Sequence, residues 1–308
     1  MNATEDAIGA LLSLILLVPD EGRRFDADDN IARRQHGLSE PLVQALVDAG
    51  LPHRSVNGIR LFDRHDLSNA SLELGLPSIR RMAMRTWSKT LQESDRRGRL
   101  NAVIHLGMTD SATEPRREIR VEAYAKLLLA DGALALLLEE FRHYKFFMLP
   151  EIRRWDLNFI TDHRICECGG ASRLLVERSR PLGIPVRQCF GLLVAEPYST
   201  GHYWAEFLIE GEWIAFDPLL LALLHRVTRL APDQWPILRS NAAMLHRLCV
   251  VDQYEPHGAP IVEGMVDPVT QLPLGLMAGQ TLMATLPCVF VENSVGIVEA
   301  NESGSTAY

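Results

Sequence analysis

The chain has 308 residues, of which 47% are hydrophobic, and its formal net charge is −8. This length and apolar content allow one large core or two modest ones, and they exclude general disorder. The negative balance excludes a protein that binds polyanions through its overall charge.

The first apolar run, IGALLSLILLVP, covers residues 8–19. A secretory signal needs positive charge ahead of such a run, whereas the preceding residues MNATED are acidic. The run is also too short to span a bilayer. We therefore expect a buried helix here, and a cytoplasmic protein that has no membrane partner. The five cysteines have irregular spacing and an odd count, which favours a reducing compartment where thiols stay free.

Residues 1–115 are predicted to form a mostly helical N-terminal region that contains one hairpin. The segment SEPLVQALVDAG predicts a helix over residues 39–50, and Asn57-Gly58 lies between two alternating apolar arms, which is typical of a β-hairpin. Further helices are expected from Asp66 and after Pro77.

Residues 116–300 are predicted to form a second domain, and residues 301–308 a loose polar tail. Residues 100–108, just before this domain, fit a strand or a loop. The pattern from 118 to 148 predicts a helix with a break at Asp131-Gly132.

Three strand-like runs follow a helix predicted at 169–180, and they cover residues 184–195, 202–210 and 212–217. The last two runs are connected by a two-residue turn at Glu210-Gly211, so they are expected to pair as a hairpin. The fold class is therefore α+β, with helices packed on an antiparallel sheet.

Cys168 lies where the helix at 169–180 begins, and Gly169-Gly170 allow the backbone to bend into its first turn. A thiol at this position faces the unpaired N–H groups and the positive pole of the helix. These groups stabilise a thiolate, and they can hold the oxyanion of a tetrahedral intermediate. The alternative is that the sulfur packs as a small apolar group, as free cysteines often do.

A thiolate catalyst needs a histidine, and the register of the hairpin at 210–211 favours His202. A two-residue turn pairs positions whose numbers sum to 421, which places Trp204 opposite Asp217. Because side chains alternate along a strand, His202 and Asp217 then lie on one face as diagonal neighbours. The carboxylate would fix the imidazole tautomer and favour its protonated form. The alternative is a surface histidine and an aspartate that forms a turn before Pro218.

The segment CGGASRLLVERSRPLGIPVR resembles the nucleophile segment of the transglutaminase-like superfamily. In that family the catalytic Cys opens a helix, a small residue follows four positions later (Ser172), and a Gly-Ile-Pro-x-Arg element comes after it (183–187). HYWAEF resembles the family's His-x-Trp-x-Glu strand, and EWIAFDP its Trp-x-x-x-Asp-Pro strand. The family usually has a bulky or polar residue where Gly170 and Ala171 lie, and a Gly-x-Cys lead-in where this chain has HRICE. The three blocks occur in the family's order, within about residues 155–220.

The resemblance implies a papain/transglutaminase-like core, with Cys168 as nucleophile, His202 as general base and acid, and Asp217 as the group that orients the imidazole. It implies acyl transfer without a cofactor. The expected reaction joins an activated acyl donor, an amide or a carrier-protein thioester, to an amine. The amide synthases of antibiotic assembly lines in this superfamily work in this way, with acyl or peptidyl carrier proteins as partners. The alternative is a cysteine peptidase or amidase that hydrolyses an amide bond.

Other residues near the thiol have more ordinary interpretations. Trp155 is either a core residue or an aromatic donor near the oxyanion, and Trp204 and Glu206 are interpreted as supports of their strand. Cys166-Glu167-Cys168 lacks a second ligand pair at zinc spacing, so no metal site is predicted. The remaining cysteines, Cys189, Cys249 and Cys288, are expected in the core.

The stretch from GLSEPLVQALVDAGLP to NGIRLFDRHDLSNASLELGLPS resembles the winged helix-turn-helix of MerR-type regulators. This resemblance implies a DNA-binding regulator or a non-catalytic interaction module as an alternative function. Residues 31–75, however, carry five Arg against five acidic residues, whereas a DNA-binding surface needs a basic face. Nucleic acid is therefore not the expected partner, and the region is expected to serve in docking or in part of the substrate site.

Overall fold

A computed structural model describes residues 5–97, 99–106, 117–124, 128–193, 195, 198, 200–251, 253–261 and 297–299. The predicted loose tail at 301–308 and Cys288 lie outside these residues.

The helices of the described residues are concentrated in the first 180 positions. They are α1 (Glu5–Ile15), α2 (Asp29–His36), α3 (Glu40–Asp48), α4 (Arg64–Glu73), α5 (Ile79–Arg97), α6 (Gly132–Glu139), α7 (Glu151–Arg154), α8 (Leu157–His163), α9 (Cys168–Ser179) and α10 (Pro218–Val227). No described helix is both long enough and apolar enough to cross a membrane.

The strands form one main antiparallel sheet and several small ones. They are β1 (Phe25–Asp28), β2 (Arg54–Val56), β3 (Ile59–Asp63), β4 (Arg99–Leu106), β5 (Arg117–Tyr124), β6 (Lys145–Phe146), β7 (Ile165–Cys166), β8 (Val186–Leu193), β9 (Thr200–Ile209), β10 (Glu212–Phe216), β11 (Leu245–Val251), β12 (Gln253–Tyr254), β13 (Pro260–Ile261) and β14 (Ile297–Glu299). The chain is thus α+β, as predicted.

The N-terminal elements follow the sequence closely. The apolar run forms the helix α1, in which Leu11 and Ile15 are buried. Asn57 and Gly58 both have positive φ, as a two-residue turn between β2 and β3 requires. Helix α4 begins two residues before Asp66, because the Asp63 carboxylate accepts the backbone N–H groups of residues 65 and 66 and caps the helix there.

The main sheet has the strand order β10-β9-β8-β11, and all its pairs are antiparallel. The predicted hairpin register is confirmed, since Glu212 pairs with Ile209 and Ala215 with Glu206. The two turn residues, Glu210 and Gly211, both have positive φ, which keeps the loop at two residues. Helix α9 packs against β8 and β9 of this sheet.

The helix predicted over residues 118–148 is wrong in its first part. Residues 117–124 form β5, which pairs with β4 along its whole length, from Arg99 opposite Tyr124 to Leu106 opposite Arg117. The sequence IRVEA places apolar residues at every second position, which is the strand period, and this signal was outweighed by the helical run that follows it. Among the described residues of this stretch, only α6 and a short 3₁₀ turn after it are helical.

The buried core joins the N-terminal helices to the main sheet. One cluster contains Leu72, Trp87 and Leu91 together with Cys189 and Trp204. A second cluster joins α1, α3 and α4 to apolar residues of the segment 147–165. Apolar residues on both sides of the predicted domain boundary at 115/116 therefore pack in common cores.

Candidate active site

Cys168 is the first residue of α9, and its side chain is half-buried. The preceding Glu167 has extended backbone angles, but its carboxylate does not cap the helix. The Glu167 carboxylate instead accepts the backbone N–H of Leu149 at 2.7 Å and pairs with the Arg154 guanidinium at 3.4 Å. The first N–H groups of α9 are therefore left without a carboxylate cap, at the place where the thiol lies.

The two glycines after the thiol are required by close packing. A Cβ atom on Gly169 would lie 2.4 Å from the ring of Trp155. A Cβ atom on Gly170 would lie 2.5 Å from the Ile160 side chain and 2.8 Å from the Arg154 carbonyl oxygen. Neither glycine has positive φ, so their role is to let the helix start approach its neighbours rather than to bend the backbone.

Trp155 forms a buried wall beside the start of α9, with 6% of its surface exposed. Its Nε1–H donates to the Glu151 carboxylate at 2.8 Å, and its ring packs edge-on against Tyr203 at 5.7 Å. Because the indole N–H is already used, the core interpretation of Trp155 fits this geometry and the role of an oxyanion donor does not.

His202 and Asp217 lie together, as the hairpin register predicts. The imidazole Nε2 is 2.5 Å from Asp217 Oδ2, and both side chains are buried. The Cys168 sulfur lies close enough to the imidazole to raise its pKa. The structure thus brings all three predicted site residues into one cluster, from the start of α9, from β9 and from the end of β10.

The charges of this cluster favour a protonated imidazole. Burial by itself lowers the pKa of His202, but the Cys168 sulfur and the Asp217 carboxylate, through charge and hydrogen bonds, overcome it and raise this pKa to about 10. An imidazolium beside a thiolate is the arrangement in which a cysteine is nucleophilic and a proton is ready for the leaving group.

Asp217 is fixed at both carboxylate oxygens and at its backbone. Oδ1 accepts the N–H of Leu220 at 2.8 Å, so Asp217 caps α10 while Oδ2 holds the imidazole. The backbone N–H of Asp217 donates to the side-chain oxygen of the fully buried Asn241 at 3.0 Å. Sequence reasoning missed Asn241, which lies in a stretch that carries no motif.

The buried carboxylate of Glu206 supports β9 through an ion-pair network with two half-buried arginines. Its carboxylate accepts from Arg187 at 2.6 Å, from Arg247 at 2.6 Å and from the Trp204 indole at 3.3 Å. Arg187 belongs to the Gly-Ile-Pro-x-Arg block and Glu206 to the His-x-Trp-x-Glu block. The contact therefore joins two separate sequence blocks in the folded chain, and it agrees with the supporting role predicted for Trp204 and Glu206.

Gln188 connects β8 to the first turn of α9, and sequence reasoning missed it. Its side-chain NH₂ donates to the Gly169 carbonyl oxygen at 3.1 Å and to Ser172 Oγ at 2.7 Å. Its side-chain oxygen accepts from the Tyr254 hydroxyl at 2.7 Å. The available signal was an amide side chain inside the otherwise apolar run VRQCFGLL.

Cys166 and Cys189 are fully buried thiols. Burial raises the pKa of the Cys166 and Cys189 thiols well above the usual value, which keeps both protonated. Cys249 is half-buried, so its predicted place in the core is wrong. Within the described part of the chain, no group of three or more His, Cys, Asp or Glu residues is arranged to hold a metal ion.

The fold and the cluster define a thiol site of the Cys-His-Asp type, at a helix start packed on an antiparallel sheet. Comparison with protein families agrees, since residues 149–218 match the family model of the transglutaminase-like superfamily. The matched segment includes Cys168, His202 and Asp217. No curated protein and no solved structure matches the chain. The family points to Cys-dependent acyl transfer, or to peptidase or amidase chemistry.

Proposed function

We propose that the protein transfers an acyl group through a thioester on Cys168 and forms an amide bond between an activated acyl donor and an amine. The observation that supports this most directly is the cluster of Cys168, His202 and Asp217 inside the segment that matches the family model. The donor would be an amide or a carrier-protein thioester, so an acyl or peptidyl carrier protein is the expected partner.

In the acylation step, the Cys168 thiolate attacks the carbonyl carbon of the donor, and an oxyanion develops on the carbonyl oxygen. The uncapped N–H groups at the start of α9 are the donors that would hold this oxyanion. The bond from the carbonyl carbon to the leaving nitrogen or sulfur then breaks. The imidazolium of His202 gives its proton to that leaving group, and Asp217 keeps the ring in place.

In the second step, an amine attacks the thioester, and neutral His202 accepts the proton that the amine loses. The tetrahedral intermediate collapses to an amide and releases the Cys168 thiolate, which regenerates the imidazolium–thiolate pair. The low exposure of His202, 8%, limits the contact of bulk water with the base and favours an acceptor that binds before it reacts. Attack by water in place of the amine would make the protein a peptidase or amidase.

The regulator alternative finds little support in the hairpin β2–β3, which would be the wing. The Arg60 guanidinium is paired with Asp29 at 2.9 Å, and the Arg54 guanidinium lies over the ring of Phe25 at 4.4 Å. Both guanidinium groups already have partners within the chain. DNA binding that weakens steeply with salt would nevertheless favour the regulator reading, and a gel-shift assay at low salt tests it.

The covalent step can be tested by intact-protein mass spectrometry after incubation with short acyl thioesters. We expect a mass increase of one acyl group in the wild type, none in Cys168→Ala, and the wild-type increase in Cys249→Ala, which removes another half-buried thiol. Acylation that survives in Cys168→Ala would refute the proposal.

The fate of the acyl group can then be followed by adding amines to the isolated acyl-enzyme. We expect loss of the acyl mass to accelerate in proportion to amine concentration, with a matching amide in the products. Release at a rate independent of every amine, with only the free acid formed, would assign hydrolysis instead. Carrier-protein thioesters and free thioesters should be compared, since a carrier partner predicts a higher kcat/KM for the former.

A further inference from the structure

A polar cavity of about 270 Å³ lies among α2, α4, the start of α5 and α7, apart from the thiol cluster. Its lining includes the guanidinium-bearing residues Arg64, Arg80 and Arg154, together with His36, Ser68 and Ser71. None of its lining residues is acidic. The cavity therefore presents hydrogen-bond donors and positive charge without a carboxylate in its wall.

Among the buried side-chain atoms of this wall that lack a hydrogen-bond partner in the described part of the chain, two belong to residues that are themselves buried. They are Oγ of Ser71, whose residue is 2% exposed, and Nε2 of His36, whose residue is 8% exposed. A buried polar atom without a partner destabilises a fold, so such atoms are rare unless a ligand or water completes them. Because Ser68 Oγ lies 3.4 Å from His36 Nδ1, its hydroxyl can donate to that nitrogen, which leaves Nε2–H as a donor.

The positive charge of the cavity is only partly balanced. Arg64 pairs with Asp26 at 3.1 Å, and Arg154 pairs with Glu151 and Glu167 at 3.3 and 3.4 Å. Arg80 is half-buried and makes no hydrogen bond or ion pair within the described part of the chain. The carboxylate nearest to it in charge effect is that of Glu167, which acts on the Arg80 guanidinium only through longer-range electrostatic attraction. Burial and the charges of Arg80 and Arg64 lower the pKa of His36 to about 4, which reflects the positive potential inside the cavity.

We propose that this cavity binds the phosphate group of a small phosphorylated molecule. A guanidinium without a partner, an imidazole N–H and a serine hydroxyl converge on one space, and a phosphate offers several acceptor oxygens and more than one negative charge to meet them. A carboxylate, with two oxygens and a single charge, would satisfy fewer of these donors. The cavity volume is close to the lower end for small-molecule sites, which leaves room for an organic group beside the phosphate.

The site is distinct from the acyl-transfer site, and the proposal does not depend on thiol chemistry. The two sites are nevertheless neighbours in space, since Arg154 of the cavity pairs with Glu167, the residue that precedes Cys168. Because phosphate binding does not need the thiol, it can also be measured in the Cys168→Ala protein, and that result stands whether or not the proposed function is correct.

The test is isothermal titration calorimetry of the full chain with inorganic phosphate, phenyl phosphate and acetate. We expect saturable binding of both phosphates, tighter binding of the ester, and weaker or no binding of acetate. Arg80→Gln should weaken phosphate binding about 10- to 100-fold, as expected for the loss of a hydrogen bond to a charged group. Arg85→Gln is the matched control, because it removes the same charge from an exposed position of the same helix and should bind as the wild type does.

A second measurement uses the wild type only and does not depend on a variant that folds. The imidazole ¹⁵N resonances of His36 should shift on titration with phosphate and saturate at the calorimetric Kd. No saturable binding of either phosphate would overturn the proposal, as would equal weakening by Arg80→Gln and Arg85→Gln or an unchanged His36 resonance. Equal affinity for inorganic phosphate and phenyl phosphate would show that the cavity binds the free anion, and it would refute the proposal of an organic phosphate as the ligand.

Discussion

Replacing Asp217 with asparagine tests the part of the site that the structure defines most sharply. The carboxylate accepts from the imidazole through Oδ2 and caps α10 through Oδ1. In Asp217→Asn, the amide oxygen can still cap the helix, because Asn and Asp are equally good N-cap residues. The amide NH₂ then faces Nε2 of His202, and it must donate where the carboxylate accepted. The neutral imidazole is therefore forced into the tautomer that carries its proton on Nδ1 instead of Nε2.

The effect on acylation should be large, whereas the effect on stability should be small. In Ser-His-Asp enzymes the same substitution lowers kcat by about 10⁴-fold through the wrong tautomer, and we expect a loss of about 10³- to 10⁴-fold here. The substitution also removes the charge and hydrogen bond that help to raise the pKa of His202, so this pKa falls and the imidazolium is less populated. The free energy of unfolding should change by less than about 1 kcal/mol, because the cap is retained.

The assay is single-turnover acylation of Cys168, followed by mass spectrometry, together with urea denaturation. Asp28→Asn is the control, since Asp28 caps α2 by accepting the N–H of Ile31 at 2.8 Å and has no part in the thiol cluster. The control should acylate at the wild-type rate. If Asp217→Asn slows acylation by less than tenfold, or no more than the control does, the imidazole is not oriented by this carboxylate and the reasoning fails.

Three further outcomes follow from the packing and the charges. Gly169→Ala places a methyl group against the ring of Trp155, so urea denaturation should show a loss of about 1–3 kcal/mol, and an unchanged midpoint would contradict the packing. Glu206→Gln leaves its half-buried arginine partners without a counter-charge and should cost about 1–3 kcal/mol by the same measurement, less than the loss for a fully buried pair. A loss below about 0.5 kcal/mol would show that solvent already screens the network. Burial lowers the pKa of His36 and of His246 to about 4, so below pH 6.5 each of these two histidines binds more protons in the unfolded chain than in the folded chain, and its contribution to stability decreases as the pH is lowered. Each histidine should contribute about 1.2 kcal/mol between pH 6 and pH 5, and His246→Asn should remove one histidine's share of that change in the free energy of unfolding, measured by urea denaturation. An unchanged pH dependence would refute this prediction.

The part of the site that could be predicted from the sequence depends on one short turn. Glu210-Gly211 fixes a two-residue loop, and a loop of that length fixes every pairing along β9 and β10. Because side chains alternate along a strand, this register alone places His202 and Asp217 on one face. The start of α9 at Cys168 was predictable for a similar local reason, since the helical pattern begins there.

The contacts that could not be predicted join residues far apart in sequence. Asn241 meets the backbone of Asp217 from 24 positions away, and no local pattern marks it. The cavity beside Arg80 depends on how α2, α4 and α5 pack together, which the periodicity of each helix does not determine. The strand β5 was missed for a different reason, because five alternating residues were outweighed by the longer helical run that follows.

The packing of the N-terminal helices bears on the function of that region. Trp87 and Leu91 of α5 lie in one apolar cluster with Trp204, which follows His202 by two residues on the same face of β9. The Trp87 indole also donates to the carbonyl oxygen of Tyr198, just before that strand, at 3.0 Å. A DNA-binding module attached to an enzyme has no need to share its core with the catalytic sheet, whereas an element that holds the sheet in place must do so. We therefore infer that α5 supports the strand that carries the imidazole, and that this part of the N-terminal region shares a core with the sheet of the candidate site.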